Sequence, residues 1–136
     1  MPYRQVLSFL LFFILKNVDF KQNMGFKGSF NRNYLRMKTR NEILTFIDKN
    51  KNLLKNQFHV IRIGFFGSFA REEQKEGSDL DLLIEFEDNT KNIYDLKLQI
   101  KDFFKNNLDL EVDICREKYI KPQFKKSIIK EAIYVD

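Results

Sequence analysis

From residue 37 onward, hydrophobic and polar positions follow regular periods along the chain. Apolar side chains recur at roughly helical spacing over residues 40–56. Thr39 and Glu42 have the spacing of a capping box, in which each side chain satisfies a free amide at the start of a helix. We therefore predict a helix over residues 40–56 with one apolar face. Similar signals predict three further helices, over residues 69–75, 92–105 and 122–132.

Three other segments have the pattern of β-strands. Residues 60–66 are rich in β-branched and aromatic side chains and end at a glycine, which is typical of a buried strand entering a turn. Over residues 79–86, apolar and polar side chains alternate, so that Asp79 and Asp81 lie on one face, and the other face carries Leu80, Leu82, Ile84 and Phe86. Residues 110–115 alternate similarly, with Asp113 between two apolar neighbours. The elements together predict an α/β (α+β) domain with a small mixed sheet flanked by helices.

The first 36 residues have a different character. An apolar run of ten residues, 6–15, is too short to span a bilayer, which takes about 20. It resembles the apolar part of a signal peptide, but no small-x-small cleavage site follows. The segment is interpreted as an extension outside the domain, as a helix that packs on the domain or on a partner, or as a membrane-directed segment. We favour the first interpretation, and expect an extension over residues 1–36, a domain over residues 37–136 with Met37 as the functional start, and no membrane partner.

Charge is distributed unevenly along the chain. The net charge of +5 comes from residues 1–36, which hold six Lys or Arg and one Asp, whereas residues 37–136 hold eighteen charges of each sign. A balanced domain gives little support to nucleic-acid binding through bulk charge, so no direct DNA binding is expected.

A single cysteine, Cys115, excludes an internal disulfide and favours a reducing, cytoplasmic location. The lone His59 has no second histidine or cysteine at metal-ligand spacing.

Three aspartates form a candidate metal site. Asp79 and Asp81 are two residues apart on a predicted strand, so they project from the same face about 6–7 Å apart along the backbone. Both can therefore reach one hard cation or a pair of cations, and Mg²⁺ favours a few carboxylates together with phosphates and water. If the strand of Asp113 is a neighbour, its carboxylate would complete the site. The alternative is that these aspartates are solvated strand ends or helix caps.

Gly67 and Ser68 form a candidate phosphate turn upstream of the aspartates. A glycine between a strand and a helix lets the backbone approach an anion, and the free amides at the start of the helix favour negative charge. The Ser68 hydroxyl adds a hydrogen-bond donor for a phosphate oxygen. Arg71, three residues further on, is placed to reach a triphosphate, although a surface role is nearly as well supported. Gly-Ser alone is a common loop dipeptide. It indicates a phosphate turn here because the Asp-x-Asp strand follows it.

The order of these residues resembles that of a known family. A strand ending in Gly67-Ser68, ten further residues, Asp79-x-Asp81 and a later Asp113 resemble the polymerase-β-type nucleotidyltransferases. The segments GSFARxE, SDLDLLIEF and VDI and the ending KPQFKKSIIKEAIYV are similar to the minimal nucleotidyltransferases, the antitoxin partners of HEPN-domain toxins. The resemblance covers residues 37–136. Glu72 departs from it, because these proteins often have glycine there.

The resemblance implies a protein adenylyltransferase that uses ATP and two Mg²⁺ ions to transfer AMP to a tyrosine hydroxyl of a cognate toxin, releasing pyrophosphate. It implies Asp79 and Asp81 as metal ligands, and Asp113 as a third ligand and base. It also implies Gly67 and Ser68 as the residues that hold the β- and γ-phosphates. The domain is too small to carry a separate acceptor-binding domain, so we expect a partner to present the acceptor. Two alternatives stay open: an antitoxin that acts by binding without essential catalysis, and a nucleotidyltransferase with a small-molecule or RNA acceptor.

Overall fold

The computed structural model of the protein describes residues 38–136, which form one unit. The predicted extension over residues 1–36 and the start at Met37 lie outside the described residues. The helices in this part of the chain are α1 (Arg40–Lys49), α2 (Lys51–Phe58), α3 (Ser68–Arg71), α4 (Ile93–Leu108), a 3₁₀ turn (Glu117–Tyr119) and α5 (Pro122–Glu131). The strands are β1 (Val60–Phe66), β2 (Leu80–Phe86), β3 (Val112–Cys115) and β4 (Ile133–Tyr134). None of the described helices has the length and apolar character needed to cross a bilayer.

The four strands form one mixed sheet in the order β3-β2-β1-β4. β1 pairs antiparallel with both β2 and β4, whereas β2 and β3 run parallel. The register places Phe66 opposite Asp81 across the antiparallel pair, and Asp113 beside Asp81 across the parallel pair. The predicted small mixed sheet flanked by helices is therefore confirmed, and its register determines which side chains meet.

The hydrophobic core lies between α1, α2 and α4 and one face of the sheet. From β2 this face contributes alternate residues, Leu80, Leu82, Ile84 and Phe86, as the sequence pattern predicted. Ile43 and Ile47 of α1 and Ile100 and Phe104 of α4 are fully buried against them. Aromatic rings of Phe46, Phe103 and Phe104 pack at centroid distances of 5.4–5.8 Å around this core. Packing on one face leaves the polar side chains of β2, including Asp81, on the other.

The single helix predicted over residues 40–56 is wrong at Asn50, where the chain divides into α1 and α2. The Asn50 side-chain amide donates to the carbonyl of Phe46 at 2.8 Å, and its backbone N–H donates to the carbonyl of Ile47 at 3.1 Å. These bonds tighten the last turn of α1 and interrupt the regular helical ladder. The capping box is confirmed: Thr39 N donates to Glu42 Oε2 at 2.7 Å, and Glu42 N donates to Thr39 Oγ1 at 3.2 Å.

The helix predicted over residues 69–75 is much shorter in the structure. α3 ends at Arg71 because Glu72 adopts the left-handed conformation, with φ 58° and ψ 35°. β2 and β3 begin at Leu80 and Val112, one and two residues later than predicted, and α4 extends to Leu108 rather than to residue 105. β4 and the 3₁₀ turn were not predicted. Pro122 does occupy the first turn of α5, as its position in the sequence suggested.

Candidate active site

The structure brings the three predicted aspartates together at one end of the sheet. Asp81 and Asp113 are register partners on the parallel strands β2 and β3. Neighbouring strands lie about 4.7–4.9 Å apart, so the two side chains are adjacent on the polar face of the sheet. Asp79 immediately precedes β2. The condition on which the sequence prediction depended, that the strand of Asp113 be a neighbour, is met.

Asp81 is the least exposed acid of this group. Burial raises its pKa above the ordinary value of 3.8, and the nearby charges of Asp113 and then Asp79 raise the pKa further. Arg71 acts in the opposite direction, and Glu131 adds a smaller upward contribution to the pKa. The site thus concentrates more negative charge around a half-buried carboxylate than one arginine offsets.

Such a site fits a divalent cation that brings part of its own coordination shell. Within residues 38–136, no group of three or more acidic, histidine or cysteine side chains is already arranged as a metal cage. Mg²⁺ rarely uses such cages in proteins, because it retains waters and is bound through one or two carboxylates together with substrate phosphates. The excess of negative charge around Asp81 is the feature that a cation would compensate. We therefore assign Asp79, Asp81 and Asp113 as candidate ligands.

The predicted phosphate turn lies directly against these acids. Gly67 joins β1 to α3 with φ 73° and ψ −151°, a conformation that is open essentially to glycine alone. A Cβ atom at this position would collide with the Asp81 carboxylate. Both the backbone and the close approach of Asp81 therefore require glycine. Ser68, the first residue of α3, is partly exposed beside the turn.

Arg71 and the Gly67 amide share an acidic partner that the sequence motifs did not predict. Glu131, the last residue of α5, accepts a hydrogen bond from the Gly67 amide through Oε1 at 3.1 Å. Its Oε2 accepts from Arg71 Nη1 at 3.0 Å. Glu73 accepts from Arg71 Nε at 2.9 Å. One signal was available in the sequence: an acid in the last turn of a helix opposes the helix dipole, so its position needs another explanation.

Cys115 and His59 are not among the candidate ligands. Cys115 is half-buried on β3, and burial followed by the charges of Asp81 and Asp113 raises the pKa of its thiol, so it is a poor nucleophile. His59 precedes β1, and its Nδ1 lies 3.4 Å from Glu87 Oε2. Gly67 follows the other end of that strand.

Comparison with known proteins finds one matching family model and several similar chains. The family model described as "Nucleotidyltransferase domain" matches residues 43–135. The chain is 40% identical over 100 residues to "Putative protein adenylyltransferase MJ1379" of Methanocaldococcus jannaschii, covering 73% of this chain and 100% of that protein. It is 33% identical over 99 residues to "Protein adenylyltransferase MntA" of Thermococcus cleftensis, covering 73% of this chain and 98% of that protein.

Solved structures show the same fold. One, described as "Structure of putative minimal nucleotidyltransferase", superposes with a TM-score of 0.58 at 30% identity, covering 71% of this chain and 95% of the other. Another, "Crystal structure of the toxin-antitoxin with AMP-PNP", superposes with a TM-score of 0.51 at 18% identity, covering 65% of this chain and 72% of the other. The second likeness is a likeness of fold. The polymerase-β-like minimal nucleotidyltransferase fold predicted from the motifs is confirmed.

Proposed function

Because the chain belongs to the nucleotidyltransferase domain family, we propose that it is a Mg²⁺-dependent protein adenylyltransferase that transfers AMP from ATP to a tyrosine of a HEPN-type toxin. The observation that carries this proposal is the pairing of Asp81 with Asp113 across β2 and β3, directly beside the Gly67 turn. A triphosphate held at the turn would present its α-phosphate to the acids. Nucleotidyl transfer requires that juxtaposition.

The proposed reaction assigns a role to each side chain. Gly67, Ser68 and Arg71 bind the β- and γ-phosphates of ATP through the backbone amide, the hydroxyl and the guanidinium. Asp79, Asp81 and Asp113 would hold two Mg²⁺ ions, which supply charge neutralisation at the attacking and leaving oxygens. Asp113 accepts the proton of the incoming tyrosine hydroxyl. The hydroxyl oxygen bonds to the α-phosphorus, the bond from that phosphorus to the bridging oxygen breaks, and pyrophosphate leaves.

The proposed acceptor comes from the similar proteins. One relative is named a protein adenylyltransferase, and one structure of the same fold is a toxin–antitoxin complex containing AMP-PNP. Both support a protein acceptor and an adenine nucleotide substrate for this chain. We propose that the toxin presents its tyrosine to the polar face of the sheet, where Asp81 and Asp113 lie. A cytoplasmic location follows from the same proposal.

Transfer of label from ATP tests the proposed function. The protein is incubated with Mg²⁺, a candidate HEPN toxin and ATP labelled in its α-phosphate. The label transferred to the toxin is measured, and the released pyrophosphate, which carries no label, is measured separately. Asp79→Asn and Asp81→Asn should reduce labelling to background, because each removes an anionic ligand while retaining the shape of the side chain. Asp113→Asn should be nearly as severe. Asp102→Asn, on the exposed surface of α4, serves as the control and should label like the wild type.

Ser68→Ala should have a milder effect. A neutral hydrogen bond contributes about 0.5–1.5 kcal/mol net, so labelling should slow only several-fold. Full labelling by Asp79→Asn or Asp81→Asn would disprove the assigned site. If these variants lose labelling but still neutralise the toxin as well as the wild type does, the chain is an antitoxin that acts by binding.

A further inference from the structure

The carboxylate of Glu131 occupies two of the donors assigned to the nucleotide. We propose that Glu131 is an internal competitor of the triphosphate: its carboxylate must leave the Gly67 amide before a phosphate oxygen can bind there. The inference rests on the proposed function, because it takes Gly67 and Arg71 to be phosphate donors. It adds a residue of α5 to the determinants of nucleotide affinity.

The competition follows from the number of donors. The Gly67 amide has one hydrogen, and it points to Glu131 Oε1 at an N···O distance of 3.1 Å. A carboxylate oxygen and a phosphate oxygen are both anionic acceptors, and the single hydrogen cannot make a short, linear bond to both. Arg71 has five N–H donors and already contacts both Glu131 and Glu73, so it is able to keep a carboxylate while binding a phosphate. The Gly67 amide is therefore the group for which the two anions compete.

The fold allows the carboxylate to move without disturbing the core. α5 contains no buried residue over its length, and the Glu131 side chain is 26% exposed. Gln123, Lys126, Ser127, Lys130 and Glu131 line an open groove along α5. The two lysines of this groove provide cationic surroundings for a carboxylate displaced from Gly67.

The competition has a measurable consequence for affinity. When a binding-competent arrangement is only partly populated, the apparent dissociation constant is the intrinsic constant divided by the competent fraction. Removing the charge of Glu131 should raise that fraction and tighten phosphate binding. If Glu131 instead serves to hold Gly67 and Arg71 in a binding-ready geometry, removing its charge should weaken binding. The two roles thus predict opposite changes in the dissociation constant when the charge of Glu131 is removed.

Binding of inorganic tripolyphosphate with Mg²⁺, measured by calorimetry, distinguishes tighter binding from weaker binding. Glu131→Gln retains the shape of the side chain and should lower the dissociation constant by about tenfold, through loss of a charge-assisted competitor. Glu73→Gln is the matched control, because it also removes one negative charge beside Arg71, whereas the Gly67 amide donates to Glu131 and not to Glu73. Its dissociation constant should change by less than about twofold. ATP should follow tripolyphosphate, whereas adenosine should bind equally to all three proteins.

Glu131→Ala provides a second variant, in which the competing oxygen is absent, and it should bind tripolyphosphate at least as tightly as Glu131→Gln. Thermal unfolding verifies that each variant is folded. Unchanged or weaker binding in Glu131→Gln overturns the inference alone, provided that the wild type binds tripolyphosphate. Equal tightening in Glu73→Gln also overturns it, because the effect would then be one of general charge. If none of the proteins binds tripolyphosphate or ATP, the phosphate site of the proposed function fails as well.

Discussion

At the scale of single residues, Gly67 combines two constraints that are usually separate. Its φ of 73° is in the region that favours glycine, and its missing side chain leaves space for the Asp81 carboxylate. Gly77 has a similar φ of 83°, but among the described residues, apart from its chain neighbours, no atom lies within 4 Å of where its Cβ would be. Alanine substitutions at the two glycines therefore separate the effect of backbone strain, which both share, from the effect of contact with Asp81, which only position 67 has.

This difference predicts distinct outcomes for Gly67→Ala and Gly77→Ala. Both should lower the free energy of unfolding by about 1–3 kcal/mol through backbone strain. Only Gly67→Ala should also displace Asp81, and it should therefore lose Mg²⁺-ATP binding as measured by calorimetry. Urea unfolding gives the stability of each variant. Wild-type ATP affinity in a folded Gly67→Ala variant would show that the turn does not hold the nucleotide.

The raised pKa of Asp81 predicts a stability effect opposite to the effect on catalysis. An acid whose pKa is higher in the folded protein than in the unfolded chain is harder to ionise when folded, so stability falls as pH rises above the ordinary value of 3.8. Asp81→Asn removes this unfavourable charge. It should melt at a higher temperature than the wild type at pH 7, and the gain should disappear below about pH 3.

Asp102→Asn is the control for this comparison, since its side chain is exposed on α4 and its removal should leave the melting temperature nearly unchanged at both pH values. The melting temperatures are measured without divalent cations. A variant Asp81→Asn that melts below the wild type at pH 7 would contradict the prediction.

At the scale of secondary-structure elements, α3 ends just before Glu72, the residue at which the sequence departs from the family pattern. The resemblance described for the sequence leads us to expect glycine there, and the structure gives a physical reason: Glu72 has φ 58°, where a side chain is strained. Its ion pair with Arg40, at 3.4 Å between Nη2 and Oε1, joins two partly exposed side chains and contributes little. The turn is therefore formed at a small energetic disadvantage.

Two variants at position 72 test this explanation. Glu72→Gly and Glu72→Ala lose the same ion pair, but only glycine relieves the strain. Glu72→Gly should therefore be more stable than Glu72→Ala by about 1 kcal/mol in urea unfolding. Equal stability of the two would mean that the left-handed conformation at this turn costs nothing measurable.

The accuracy of the predicted elements depends on whether their signals are local. The alternation of Leu80, Leu82 and Ile84 is local, and it correctly assigned β2 and the face of Asp81. The left-handed backbone of Glu72 and the two-residue β4 leave no periodic signal, since β4 exists only through its pairing with β1. The candidate site follows the same rule. Spacing alone predicted Asp79 with Asp81, whereas Glu131 contacts Gly67 across 64 residues of sequence.

At the scale of the whole molecule, the described residues 38–136 form one unit with a hydrophobic core of their own. Its fully buried members run from Ile43 and Ile47 in α1 to Phe104 in α4. Together with buried residues of the sheet they form one cluster. We therefore propose that a chain shortened to begin at Met37 folds independently and retains the proposed activity.

Denaturant unfolding of that shortened chain provides the test. We expect a single cooperative transition, with a free energy of unfolding within about 0.5 kcal/mol of that of the full-length chain, because no described core side chain is removed. A broad, non-cooperative transition would show instead that the apolar run over residues 6–15 contributes to the core.

The lengths of the strands also have a consequence for behaviour at high concentration. The two seven-residue strands, β1 and β2, lie inside the sheet, and the outer strands β3 and β4 have four and two residues. Long outer strands are templates on which further chains assemble into aggregates, and short ones offer few unpaired amides and carbonyls. The described sheet therefore offers only short edges for pairing with a second chain, and we expect it to contribute little to edge-to-edge assembly.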